Sequence, residues 1–113
     1  MKQLSKKREI QATLASVVKR LVDNLDVEKI VLFGSYVKGS PTKDSDLDLF
    51  IMLNTRKKGI ARYAMVSEIL EPRTIPMDII VKTPAEIRKR ERYFDPFIRN
   101  ITMNGKVLYE KKG

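Results

Sequence analysis

Two apolar runs rich in β-branched residues, Val27 to Phe33 (VEKIVLF) and Leu47 to Leu53 (LDLFIML), constrain this chain most, because each has the length and texture of a buried strand. Between them the chain must turn, and the residues there suit turning. Gly34 ends the first run where the backbone is free to change direction sharply, and Ser35 follows with a hydroxyl and an N–H. If Tyr36, Val37 and Lys38 form one turn of helix, their N–H groups face outward and attract an anion such as phosphate. Gly39 to Ser45 (GSPTKDS) is polar and carries Gly, Pro and Ser, so it reads as the loop leading into the second strand.

Asp46 and Asp48 enter that second strand. Residues two apart on a strand share a face, so both carboxylates point the same way while Leu47, Leu49 and Ile51 turn to the core. Two such charges repel unless a cation lies between them, and their hard oxygens suit Mg²⁺. A third carboxylate, Asp78, sits in Pro76 to Val81 (PMDIIV), a run apolar enough for a central strand, where an ionised group is costly without a partner or a function. Three acidic groups on neighbouring strand ends could hold two cations roughly 3.5–4 Å apart, the separation that stabilises both the entering and the leaving oxygen of a phosphoryl or nucleotidyl transfer. Taken singly, Gly-Ser is an ordinary turn, Asp-Leu-Asp an ordinary strand start, and Asp78 an edge-strand residue that a Lys or Arg could pair. Their joint occurrence in this order points to nucleotide chemistry.

Gly34-Ser35, Gly39, Ser45-Asp46-Leu47-Asp48-Leu49 and Met77-Asp78-Ile79-Ile80 resemble the minimal nucleotidyltransferase domains of the DNA polymerase β superfamily. The resemblance extends through Pro96-Phe97-Ile98 to Asn104-Gly105-Lys106-Val107-Leu108-Tyr109, which looks like the usual end of such a domain. It implies that the Gly34-Ser35 turn binds the triphosphate of an NTP, that Asp46 and Asp48 bind divalent ions, and that Asp78 completes the metal site and assists deprotonation of an acceptor hydroxyl. All three acidic positions are filled. Several proteins of this kind are antitoxins that transfer AMP from ATP to a HEPN-domain ribonuclease toxin, so the resemblance also implies such a partner, with ATP as substrate and two Mg²⁺ ions as cofactors.

Composition sets the remaining bounds. A chain of 113 residues is expected to form one domain over 1–113, large enough for a single core but too short for a separate acceptor-binding domain. It contains neither Cys nor His, which removes disulfides, thiol nucleophiles and imidazole chemistry and leaves acid–base work to carboxylates. No stretch approaches membrane-spanning length and no signal-like apolar segment follows the basic N-terminus, so the expectation is a cytoplasmic protein. A formal net charge of +9 suits phosphate-bearing substrates or an acidic partner. Most of the basic residues, spread over Lys6 to Arg8, Arg56 to Lys58, Arg62 and Arg88 to Arg92, read as solvated faces, with no aromatic platform interleaved with them of the sort single-stranded nucleic acid needs.

The predicted elements give an α/β (α+β) fold, a small mixed sheet flanked by helices as in the polymerase-β-like family. Ser5 is placed to cap a helix carrying Ile10, Leu14, Val17, Val18, Leu21 and Leu25 at helical spacing. Ile60, Ala61, Ala64, Met65, Ile69 and Leu70 repeat helically until Pro72. Thr83-Pro84-Ala85-Glu86 is a capping box with Pro at the first helical position, and Asp95-Pro96 opens a last helix with Phe97, Ile98 and Ile101 on one face. Asn104-Gly105 then turns into a short strand at Val107 to Tyr109, and the ends Met1–Ser5 and Glu110–Gly113 are expected to fray. The expected activity is Mg²⁺-dependent transfer of a nucleoside monophosphate to a hydroxyl with release of pyrophosphate. Two other classes remain: a small-molecule nucleotidyltransferase of the antibiotic-modifying type, disfavoured by the missing second domain, and a non-enzymatic antitoxin that masks its partner.

Overall fold

The computed structural model describes residues 2–39 and 46–112. In chain order these form helix α1 (Lys2–Asn24), strand β1 (Val27–Phe33), a single helical turn α2 (Ser35–Lys38), strand β2 (Leu47–Leu53), helix α3 (Gly59–Ile69), strand β3 (Met77–Lys82), helices α4 (Pro84–Arg92) and α5 (Pro96–Asn104), and strand β4 (Lys106–Glu110). The four strands make one mixed sheet in the order β3-β2-β1-β4, with β2 parallel to β3 and the other pairs antiparallel.

Alternation along the strands divides the apolar side chains between two layers. On one face Ile30, Leu32, Leu47, Leu49, Ile51 and Leu53 pack with Val17 and Leu21 of α1, Val66 of α3 and Leu70 just after it. On the other, Val31 and Phe50 pack with Ile87 of α4 and Ile98 and Ile101 of α5, with Phe33, Met52 and Ile80 half-buried around them. The expected orientation of Leu47, Leu49 and Ile51 toward the core is therefore observed, and it sends Asp48 to the α4–α5 face.

Local signals explain where α4 and α5 begin. Thr83 Oγ1 accepts from the Glu86 N–H at 3.2 Å while a Glu86 carboxylate oxygen accepts from the Thr83 N–H at 2.8 Å, so the capping box closes in both directions. Asp95 accepts from the Phe97 N–H at 2.9 Å and the Ile98 N–H at 3.4 Å. A buried arginine adds a tertiary link. Arg62 of α3 donates to the Lys57 carbonyl at 2.8 Å, the Val81 carbonyl at 3.3 Å and the Glu86 carboxylate at 2.7 Å, tying α3 to the end of β3 and the start of α4. With these contacts the guanidinium is satisfied inside the protein.

Three expectations need correction. The helix α1 starts at Lys2, so Ser5 lies within it and does not cap it. Glu110 belongs to β4, and the Lys111 N–H donates to the Glu28 carbonyl at 2.8 Å, so sheet pairing holds this end against fraying. β3 is an edge strand, although its composition reads as central, because its apolar side chains are covered on both faces of the sheet, Ile79 in the α1–α3 layer and Ile80 in the α4–α5 layer. The loop expected over Gly39 to Ser45 lies outside the described residues except for Gly39.

Candidate active site

The sheet register brings the acidic residues together at one end of the second face. Asp48 stands opposite Phe33 in the antiparallel β1–β2 ladder and directly beside Asp78 in the parallel β2–β3 ladder. Register partners on adjacent strands present their side chains on the same face, about 4.8 Å apart in the hydrogen-bonding direction. Asp46 is exposed and stands one residue before β2, slightly outside the strand that the sequence suggests for it. Burial pushes the Asp48 carboxyl above the usual carboxylate range, and the negative charges of Asp78 and then Asp46 push it the same way.

Gly34 explains how the Asp48 carboxylate reaches the turn. With φ 81° and ψ −153°, this residue lies in a region that side chains exclude. A Cβ built there would fall on Asp48 Oδ2 and stand 3.0 Å from Asp48 Cγ. Lacking that atom, the backbone turn and the carboxylate occupy adjoining space. The turn differs from expectation in one respect. The N–H groups of Val37 and Lys38 both donate to the Gly34 carbonyl at 3.1 Å, so they close α2 upon itself and do not face an anion. The part of this turn that could face an anion thereby narrows to the residues before Val37.

Asp78 is exposed, as its place on the edge strand dictates. The premise that burial makes its charge costly is therefore wrong. Its significance comes from register with Asp48 and from access to anything approaching the open side of β3. The oxygen-only donor set and the repulsion concentrated on Asp48 fit a divalent cation. Among the described residues no group of three acidic side chains is already arranged to hold one, so water and phosphate oxygens would complete the coordination, as suits Mg²⁺.

A family model described as the nucleotidyltransferase domain matches residues 13–109. The chain belongs to that family. This nucleotidyltransferase is 29% identical over 83 residues to a candidate protein adenylyltransferase of Methanocaldococcus jannaschii, covering 74% of the chain and 79% of the relative. A second candidate protein adenylyltransferase of the same organism is 38% identical over 71 residues, which is 63% of each protein. The fold is shared with solved structures. A toxin–antitoxin crystallised with AMP-PNP superposes with a TM-score of 0.63 at 22% identity, covering 88% of this chain and 74% of the other. The MntA-HepT toxin–antitoxin gives 0.57 at 20% identity, covering 89% and 73%.

Around the carboxylates of this nucleotidyltransferase the sequence reading missed an aromatic neighbourhood. Phe33, beside Asp48, is met edge-on by Phe97 of α5, with ring centroids 5.9 Å apart and an interplanar angle of 89°. Of the expected face of α5, Ile98 and Ile101 are buried but Phe97 stays 43% exposed. Tyr93 and Phe94 lie at the preceding corner and are largely exposed. The adjacency of Arg88–Arg92 to Tyr93 and Phe94 in the sequence was the signal for these exposed rings. A separate open cleft of about 600 Å³, lined by Asn54, Arg56, Thr83 and Arg88, lies at the opposite ends of β2 and β3 and contains none of the carboxylates. Among the described residues no helix is long and apolar enough to cross a membrane.

Proposed function

We propose that this nucleotidyltransferase is a Mg²⁺-dependent protein adenylyltransferase that moves AMP from ATP to a hydroxyl of a HEPN-domain toxin and so acts as its antitoxin. The observation that carries the reading is the placement of Asp48 against the side-chain-free Gly34 turn and in register with Asp78. The likeness to candidate protein adenylyltransferases supports a protein acceptor, and the fold shared with a toxin–antitoxin crystallised with AMP-PNP supports ATP.

Each residue then has a distinct task. Ser35 and the Gly34 backbone hold the triphosphate, and the carboxylates of Asp46 and Asp48 hold Mg²⁺, with Asp78 completing the set. When bound, the cation supplies charge neutralisation on the triphosphate and on the departing pyrophosphate. Asp78, open to solvent at the sheet edge, takes the proton from the acceptor hydroxyl. The hydroxyl oxygen bonds to the α-phosphorus, the bond from that phosphorus to the bridging oxygen of the β-phosphate breaks, and pyrophosphate carries away the electron pair. The fold and the absence of a membrane-spanning helix among the described residues are compatible with the cytoplasm, where ATP and a ribonuclease partner would meet.

The test is transfer of labelled AMP to the product of the adjacent gene, with that protein's intact mass and ribonuclease activity followed together. Wild type should modify and silence the partner. Asp78→Asn should retain much of the ATP·Mg²⁺ affinity, which Asp46 and Asp48 chiefly supply, while transfer falls by several orders of magnitude, because Asp78 acts mainly on the acceptor side. A partner silenced equally by both proteins without any mass change would replace the enzymatic reading by masking.

A further inference from the structure

The corner between α4 and α5 combines three features that the transfer reaction as described does not use. The Phe94 ring is 82% exposed and the Tyr93 ring 77% exposed, next to the half-exposed Phe97. Phe94 also has φ 55°, a left-handed conformation that Gly or Asn adopts with less strain. A turn residue chosen for the turn alone would be neither aromatic nor bulky, so this position carries unfavourable exposure and unfavourable backbone geometry together. Finally, Arg92 and Arg99 flank the corner along the chain, and among the described residues neither forms an ion pair, whereas Arg90 is engaged by Asp95 at 3.0 Å.

Its position makes these features relevant to the active site. α4 starts at the far end of β3 and returns the chain toward the end where β2 and β3 begin. There Phe97 packs on Phe33, the register partner of Asp48. The corner therefore leads directly into the Phe97 ring that packs on Phe33 beside Asp48, on the face to which Asp48 points. Exposed Tyr and Phe rings rimmed by arginines are the composition of a protein-binding hot spot. The unpaired cations select a partner of opposite charge.

We infer that the α4–α5 corner docks the acceptor protein, through an acidic surface on the acceptor whose apolar cleft receives Tyr93 and Phe94, and so presents the accepting hydroxyl to Asp78. The inference rests on the adenylyl-transfer reading and adds to it the location and chemistry of acceptor recognition. Three aromatic rings cover only part of a standard interface of about 800 Å² per partner, so the arginine rim belongs to the contact.

The test compares wild type with Phe94→Asn and with the double variant Arg92→Glu/Arg99→Glu, using ATP, Mg²⁺ and, as acceptor, the product of the adjacent gene. Phe94→Asn should unfold at the same or a higher temperature than wild type and bind ATP within twofold of it. Its KM for the acceptor should rise tenfold or more, with kcat at saturating acceptor retained. The double variant should raise KM similarly and flatten its dependence on salt. Absence of transfer by wild type overturns the adenylyl-transfer reading and this inference with it. Transfer by wild type with unchanged KM in both variants overturns docking alone. A tenfold loss of ATP affinity in Phe94→Asn assigns the ring to the nucleobase instead. Competition by a single-stranded oligoadenylate on wild type but not on Phe94→Asn assigns the corner to nucleic acid, and either result refutes an acidic protein as occupant.

Discussion

Replacing Gly34 by Ala tests the structural premise of the site most directly. At φ 81° and ψ −153° an L side chain is strained by about 1–3 kcal/mol. The new methyl also meets Asp48. Carbon contacts are relaxed at about 3.5–4.0 Å. The Asp48 carboxyl carbon, 3.0 Å from the built Cβ, must therefore retreat by roughly 0.5 Å. Oδ2, on which the methyl falls, must move further. Misplacing a reacting or ligating group by about 1 Å costs on the order of 10²-fold in rate. Gly34→Ala should thus lower the unfolding midpoint by roughly 4 °C for each kcal/mol of strain. It should also lower AMP transfer by about a hundredfold in protein that remains folded at the assay temperature. Gly39→Ala calibrates the backbone contribution. That residue has φ 77° and ψ 15° with no described atom within 4 Å of its built Cβ, so it loses only about 1–2 kcal/mol of stability. Ser35→Ala leaves the turn and Asp48 in place and should affect transfer less than Gly34→Ala. Denaturation and single-turnover transfer on the same preparations separate the two effects. Wild-type transfer by folded Gly34→Ala would refute the claim that this close approach positions Asp48.

Two further predictions follow from the charges. Since burial and the charges of Asp78 and Asp46 raise the Asp48 pKa, its ionisation disfavours the folded state; its stabilising contribution is present at low pH and lost as pH rises through the raised value. Asp48→Asn should therefore be more stable than wild type in EDTA at neutral pH, with the advantage vanishing below about pH 4, while AMP transfer is abolished. Urea denaturation across pH checks it, and a destabilised variant at neutral pH would contradict the assignment. Glu86 behaves oppositely: hydrogen bonding from Arg62 chiefly, opposed by burial and aided by Thr83, pulls its carboxyl to about 2 from 4.5. The resulting stability is complete above pH 4.5 and disappears as pH falls toward 2. Because this carboxylate is 43% exposed, solvent screening reduces the value to about 1–2 kcal/mol, which Glu86→Gln should lose at neutral pH in the same denaturation assay.

Much of the local structure follows from short stretches of sequence. The bounds of β1 and β2, the turn at Gly34, the capping box at Thr83-Pro84-Ala85-Glu86 and the Asp95 cap depend on side-chain period and on hydrogen bonds spanning a few residues. They can therefore be read before any tertiary contact is known. The nucleotidyltransferase motif belongs to the same class of signal, because its glycine, serine and paired aspartates lie close together in the chain.

What only the tertiary structure decided depends on partners distant in sequence. The apolar texture of Met77–Lys82 is equally suited to a central strand and to an edge strand covered by a helix, and only strand order reveals Asp78 as an exposed edge residue. The Asp48–Asp78 register is likewise set by pairing between segments separated by α3. Closure of α2 through the Gly34 carbonyl removed two N–H groups from the expected phosphate cradle, and the chain's return after β3 carried Phe97 onto Phe33, the register partner of Asp48. Local chemistry determines which conformations each segment favours, whereas neighbour, register and exposure are determined by burying both faces of one sheet at once.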